Sequence, residues 1–218
     1  MSAIGPHVRR GAVAGVAGGL AGALTLVLLG ESSIARAIEL EAANAVPGEA
    51  HHEELFSRTT QVICGMVGLG LYGLFLGVVF GVVFAAVQHR LGLGPAWRRA
   101  RRLAGLAFVA VFLVPFLKYP GNPPAVGDPD TVNQRTIAYL TLVAVSIAAV
   151  ALGAAVHDRL ARRGLPEWWS QPAAALAWLA TLAVAFLVLP ANPDAVEVPA
   201  DLLWSFRLAS VGGQAALW

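Results

Sequence analysis

The chain contains one cysteine, Cys64, among 218 residues. An intramolecular disulfide and a cysteine-based metal cluster are both excluded. Charge is scarce as well. Asp, Glu, Lys and Arg make up 13% of the chain, where ordinary soluble domains carry about 25%. No Gly-x-x-x-x-Gly-Lys-[Ser/Thr] loop occurs, so any nucleotide-driven work would have to come from another chain. No charged residue stands in the middle of the first five apolar runs, which excludes the usual buried ion pairs and proton relays of membrane pumps. What is present is a sequence that is 57% hydrophobic, with its charges gathered into clusters between long uncharged stretches. That pattern predicts an all-α polytopic membrane protein. The lipid bilayer is its first expected partner, and no nucleic-acid partner is expected.

Six spans are predicted. A basic leader, 1–10, precedes Gly11–Gly30, in which Gly11, Gly15 and Gly19 fall four apart beside Gly18 and Gly22. Small residues at this spacing let two helix backbones approach closely. Ala35-Arg36-Ala37 offers a signal-cleavage pattern, but the run exceeds the roughly 7–15 residues of a signal core, so the stretch is read as a retained span. Thr59–Gln88 is the second span, with Gly65, Gly73, Gly77 and Gly81 on one row, read as the face that meets the first span. Leu103–Leu117 is 15 residues, short for a crossing unless Arg101, Arg102, Lys118 and Tyr119 anchor at the interfaces. Pro115 is expected to bend its last turn. Thr136–Val156 and Pro172–Leu189 are the fourth and fifth spans. Leu202–Trp218 carries Arg207 and is read as a sixth span, short or truncated.

Two stretches are copies of each other. Pro120-Gly121-Asn122-Pro123-Pro124-Ala125-Val126-Gly127-Asp128-Pro129 and Pro190-Ala191-Asn192-Pro193-Asp194-Ala195-Val196-Glu197-Val198-Pro199 share Pro, Asn, Pro, Ala, Val and Pro at a 70-residue offset. An internal repeat of this kind implies related supersecondary units. The leader, 89–102 and 157–171 hold ten of the 15 basic residues and two of the 13 acidic ones. Lys and Arg are retained on the cytoplasmic side. The expected topology is therefore a cytoplasmic N-terminus in a cell (inner or plasma) membrane, with three acidic outer loops. Each outer loop ends in an arginine, Arg58, Arg135 or Arg207. The chain thus reads as one transmembrane domain, 1–218, of three same-orientation hairpins, 11–88, 103–156 and 172–218, with an outer acidic loop at 31–58. Ser32–Ala45 within that loop has helical composition.

His51-His52-Glu53-Glu54 is the most metal-like group. Neutral imidazole and carboxylate suit cobalt, nickel and zinc, and His51 and Glu54 share a helical face at i and i+3. The plain alternative is a solvated acidic helix start with Glu54 paired to Arg58. The repeated loops admit two readings too: proline-rich turns, or an outer vestibule lined by Asn122, Asp128, Asn192 and Asp201. Glu53-Glu54-Leu55-Phe56-Ser57-Arg58 also matches the Glu-Glu-x-x-x-Arg pattern of membrane proteases related to prenyl-protein endopeptidases. Those enzymes need further histidines within later helices. Here His89 and His157 lie at the basic ends, away from the acids a water-activating site requires. A non-transporting membrane scaffold or assembly partner is the remaining alternative.

Taken together, Ser32–Glu41, His51–Glu54, Val114–Pro129 and Leu203–Ser210 resemble the CbtA family, the proposed membrane subunit of a cobalt transporter. The resemblance implies uptake of cobalt or another divalent metal as the transported ion, with no covalently bound cofactor. It implies a small single-span partner of the CbtB kind with a histidine-rich end; a homo-oligomer remains open. His51, His52, Glu53 and Glu54 are the expected metal ligands. Asn122, Asp128, Asn192 and Asp201 are the expected vestibule residues, and Arg58, Arg135 and Arg207 the structural arginines. Members of that family usually continue the last helix further than Trp218.

Overall fold

The computed structural model describes residues 4–44, 56–124, 126–194, 196 and 198–218. It contains six helices: α1 (Ile4–Asn44), α2 (Arg58–Val87), α3 (Ala96–Lys118), α4 (Val132–Arg162), α5 (Glu167–Val188) and α6 (Ala200–Leu217). No strand occurs among the described residues. A lipid-exposed segment must satisfy its backbone polar groups internally, which is why apolar runs of this length are helical throughout. Five of the helices, α1 to α5, are long and apolar enough to cross a bilayer. The 18-residue α6 carries Asp201, Arg207 and Gln214 and is not among them. The protein is thus a multi-pass membrane protein, helical throughout its regular described structure, with five helices of spanning length and a shorter sixth among the described residues.

Three lengths differ from the apolar runs. α1 is 41 residues, about 60 Å at 1.5 Å per residue, roughly twice the hydrocarbon thickness. Its last third therefore extends the helix through Glu31–Asn44, where no Pro or Gly interrupts an Ala- and Glu-rich sequence. Residues 31–44, expected within the outer acidic loop, are helical. α3 runs 23 residues because its first turns, rich in Arg and Ala, are helical ahead of the apolar core. Its middle, Phe108–Leu113, is a π-helical turn in which the Val114 N–H bonds to the Val109 carbonyl. Pro115 supplies no N–H and crowds the turn before it, so the backbone widens there. Pro115 is fully buried, with Phe112 and Val114 close to it in the chain and also buried.

The helices fall into two compact units. The first holds α1, α2, α6, the start of α3 to Ala104, and the loop Gly121–Val126. Within it α1 packs on α2 along one face and on α6 along another. A Cβ added at Gly77 would lie 2.8 Å from Gly15 Cα and collide with the Gly11 carbonyl; one added at Gly73 would lie 2.7 Å from Gly19 Cα. Only glycine permits backbones this close. Gly18 and Gly22, a quarter-turn round α1, face Leu217 and Gly213 of α6. Gly65 departs from the expected row, with nothing within 4 Å of its would-be Cβ.

The second unit holds α3 from Gly105, α4, α5 and the second proline loop as far as Ala195. Its core is Val114, Leu142, Ala149, Leu182 and Ala185, with Trp178 and Phe186 packed against them. Among the described residues α1 packs on α2 and on α6, while α4 packs on α3 and on α5.

Candidate functional site

His51, His52, Glu53 and Glu54 lie outside the described residues. The structure describes the ground on either side of them. Ser57 caps α2, its hydroxyl accepting from the Thr60 N–H at 3.3 Å. Arg58, the next residue, grips Glu31 of α1 with two bonds, Nε to Oε1 at 2.7 Å and Nη2 to Oε2 at 2.9 Å. A third guanidinium bond goes to Gln61 Oε1 at 3.0 Å, and Gln61 Nε2 donates to the Phe56 carbonyl at 3.1 Å. Two parallel N–H···O bonds on one carboxylate are the strongest arrangement an arginine makes. This one ties α1 to the start of α2.

Beside the pair is a cavity of about 300 Å³ lined by Glu31, Arg58, Gln61, Gly65, Met66 and Pro124 together with aliphatic side chains of α1 and α2. The missing side chain of Gly65 opens its wall. Cys64, one residue before, is exposed.

Arg207 and Arg135 each dock on a proline loop, and each docks on the other repeat's loop. Arg207, which comes after the second copy, donates from Nε to the Gly121 carbonyl and from Nη2 to Asn122 Oδ1, both at 3.2 Å. Arg135, which comes after the first copy, pairs with Asp194 of the second at 3.1 Å and donates to the Asp128 carbonyl at 3.1 Å. The Asp194 side chain is 3% exposed. It also accepts from the Thr131 hydroxyl at 2.8 Å and the Asp128 N–H at 3.3 Å. Gly127 sits over this pair with φ +116; a Cβ there would lie 2.7 Å from both Arg135 Nη1 and Asp194 Oδ2. Two further donors hold the end of α5 and the start of the second proline loop: Lys118 Nζ to the Phe186 carbonyl at 2.9 Å, and Tyr119 Oη to the Pro190 carbonyl at 2.6 Å.

The four expected vestibule residues divide between the units. Asn122 and Asp201 belong to the first, Asp128 and Asn192 to the second. All four have partners. Asn122 accepts from Arg207, and Asp201 pairs with Arg36 at 2.6 Å on an exposed surface. Asp128 accepts the Asp130 N–H at 2.9 Å, and Asn192 Oδ1 accepts the Asp194 N–H at 3.3 Å. The hydrogen bond from Arg36 holds the Asp201 carboxyl below its ordinary pKa. Among the described residues no group of three or more His, Cys, Asp or Glu side chains is placed to hold a metal ion. Sequence reasoning had no means to find Glu31 as the partner of Arg58 or the exchange of Arg135 and Arg207. The repeat placed equivalent arginines after equivalent loops and gave no sign that the two exchange partners.

No curated protein and no solved structure matches this chain. A family model does, over residues 6–218: CbtA, described as probable cobalt transporter subunit. That match runs through both units, both proline loops and all six helices, and the chain belongs to the CbtA family of probable cobalt transporter subunits.

Proposed function

We propose that this chain is the ion-capturing membrane subunit of a cobalt uptake system, placed in the cell membrane with its N-terminus in the cytoplasm. Membership of the CbtA family over residues 6–218 carries this reading. His51, His52, Glu53 and Glu54 take the ion from outside, since neutral imidazole with carboxylate is a donor set that suits cobalt. Three of the described carboxylates, Glu31, Asp194 and Asp201, are each paired with an arginine, which competes with a cation for the carboxylate oxygens. The surplus of acid on the outer side raises the local concentration of divalent cations before capture.

Asn122 and Asp201 in the first unit, and Asp128 and Asn192 in the second, act as framework rather than as ligands, through the bonds each makes within its own unit. Arg58, Arg135 and Arg207 fasten that framework. A small single-span partner with a histidine-rich end accompanies the chain, and any nucleotide-driven step would come from another protein. Cobalt is the cargo, and no covalent cofactor takes part.

Replacing His51, His52, Glu53 and Glu54 together with Ala tests the capture role. Cells dependent on this chain at limiting cobalt should lose most of their accumulated metal while the variant stays at normal abundance in the membrane. Unchanged accumulation would refute the role. A fall in partner abundance without any transport by the wild-type chain would favour a scaffold instead.

A further inference from the structure

The opposite end of the first unit carries a dense, uncompensated positive charge. Arg90, Arg98, Arg99, Arg101 and Arg102 fall within 13 residues, and no acidic residue occurs anywhere from 59 to 127. The start of α1 is at the same end: His7 Nε2 and Gln88 Nε2 are 3.3 Å apart, and a Cβ on Gly81 would lie 2.6 Å from the His7 carbonyl oxygen. That contact brings exposed Arg9 and Arg10 alongside. None of these seven arginines forms a salt bridge among the described residues.

The turn between α2 and α3 is built to hold the arginines in place. Arg102 Nη1 donates to the Leu91 carbonyl at 2.6 Å and Arg99 Nη1 to the Gln88 carbonyl at 3.4 Å. Gly92 has φ +82, and a Cβ on it would lie 2.5 Å from Arg102 Nη1. Gly94 has φ +121 and lies against Arg98. Trp97, in the first turn of α3, lies beneath two guanidinium groups, with Arg101 Cζ 4.7 Å and Arg98 Cζ 5.8 Å from its ring centroid. Leu93 is 94% and Trp97 57% exposed. Within two turns the same helix becomes the apolar span.

We propose that this surface, formed by the 88–95 turn and the first turns of α3, binds the headgroup of an anionic phospholipid. Clustered arginines directly beside a span attract anionic lipid, and a guanidinium matches a phosphate with two parallel bonds. Trp97 and Leu93 enter the boundary between headgroup and acyl chain, where aromatic and aliphatic side chains settle. A soluble acidic protein would satisfy the charge but would leave these two apolar side chains, at the mouth of a span, without a role.

The test uses the full chain in nanodiscs of phosphatidylcholine and phosphatidylglycerol, read by the ratio of the two lipids retained on the protein after transfer to detergent. The variants are Trp97→Ala and the pair Arg98→Lys with Arg101→Lys, all of which keep the positive charge that orients the chain. The wild type should retain phosphatidylglycerol preferentially, and each variant should lose about fivefold of that preference, Trp97→Ala through the ring that holds the two guanidinium groups and the lysine pair through the lost two-bond contact to phosphate. An excess of inorganic phosphate should not displace the lipid. No preference in the wild type would overturn the proposal. Equal preference in all three proteins would overturn it in favour of charge alone, as a soluble acidic partner would need. Displacement by inorganic phosphate, with no effect of Trp97→Ala, would overturn it in favour of a free-anion site.

Discussion

Asp194→Ala removes the acceptor on which Arg135, Thr131 and the Asp128 N–H converge. The aspartate side chain is 3% exposed and the arginine 28%. Taking one partner from a buried ion pair costs about 3–5 kcal/mol, because the other charge is left uncompensated. Arg135 keeps some access to solvent and its bond to the Asp128 carbonyl, so the expected loss is about 2–3 kcal/mol. Its Nε is already buried without a partner, so little slack remains to absorb the change. Asp194→Asn keeps one oxygen, enough for Thr131 on Oδ1 or for Asp128 and Arg135 on Oδ2 but not for both, so its loss should be smaller than that of Asp194→Ala, about 1–2 kcal/mol. At roughly 2–4 °C per kcal/mol for a chain of this size, Asp194→Ala should melt about 5–10 °C below the wild type in mild detergent. A double-mutant cycle with Arg135→Ala should give a coupling above about 1 kcal/mol. A melting point within about 1 °C of wild type, or strict additivity with Arg135→Ala, would refute the account of this loop.

Other contacts carry expectations of their own. Gly77→Ala drives a methyl into the α1 backbone at Gly11 and Gly15 and should cost about 1–3 kcal/mol in denaturant titration. Gly65→Ala, in open space on the same helix, should be neutral or stabilising by up to about 1 kcal/mol. Arg207→Ala leaves the Gly121 carbonyl and Asn122 without their donor; proteolysis at the first proline loop should rise several-fold, with Arg207→Lys intermediate. The Arg36–Asp201 pair depresses an aspartate pKa, so its contribution is present above the ordinary aspartate value near about 4 and lost as pH falls through the depressed one. The melting-point gap between wild type and Arg36→Ala should therefore close on acidification below about pH 4. The gap should be small, because both side chains are exposed.

Much of the fold was legible because the bilayer restricts the choices. Apolar runs between charge clusters located all six helices, and the four-residue glycine spacing identified the α1–α2 contact at Gly11, Gly15, Gly73 and Gly77. Gly65 belongs to the same row but borders the cavity with Glu31 and Arg58, where the two backbones no longer touch. Spacing does not reveal where a shared face ends. α3 looked too short because its arginines were counted as loop, although Arg and Ala favour helix as much as any residues do. The partition of α5 and α6 depended on a second face of α1, Gly18 and Gly22, whose partner no local pattern names. The His51–Glu54 group was read from its chemistry alone and lies outside the described residues. Repeat arithmetic pairs each arginine with the loop before it, whereas packing delivers Arg207 to Asn122 and Arg135 to Asp194. Those are contacts across 85 and 59 residues of chain, which only the tertiary structure brings together.

The most direct test of the transport account is radioactive cobalt uptake into sealed vesicles containing this chain, with and without a small histidine-rich single-span partner. The account predicts saturable uptake that requires this chain and falls to background when His51, His52, Glu53 and Glu54 are all replaced by Ala. Uptake that proceeds equally without the chain, or equally with the four-residue variant, would contradict it.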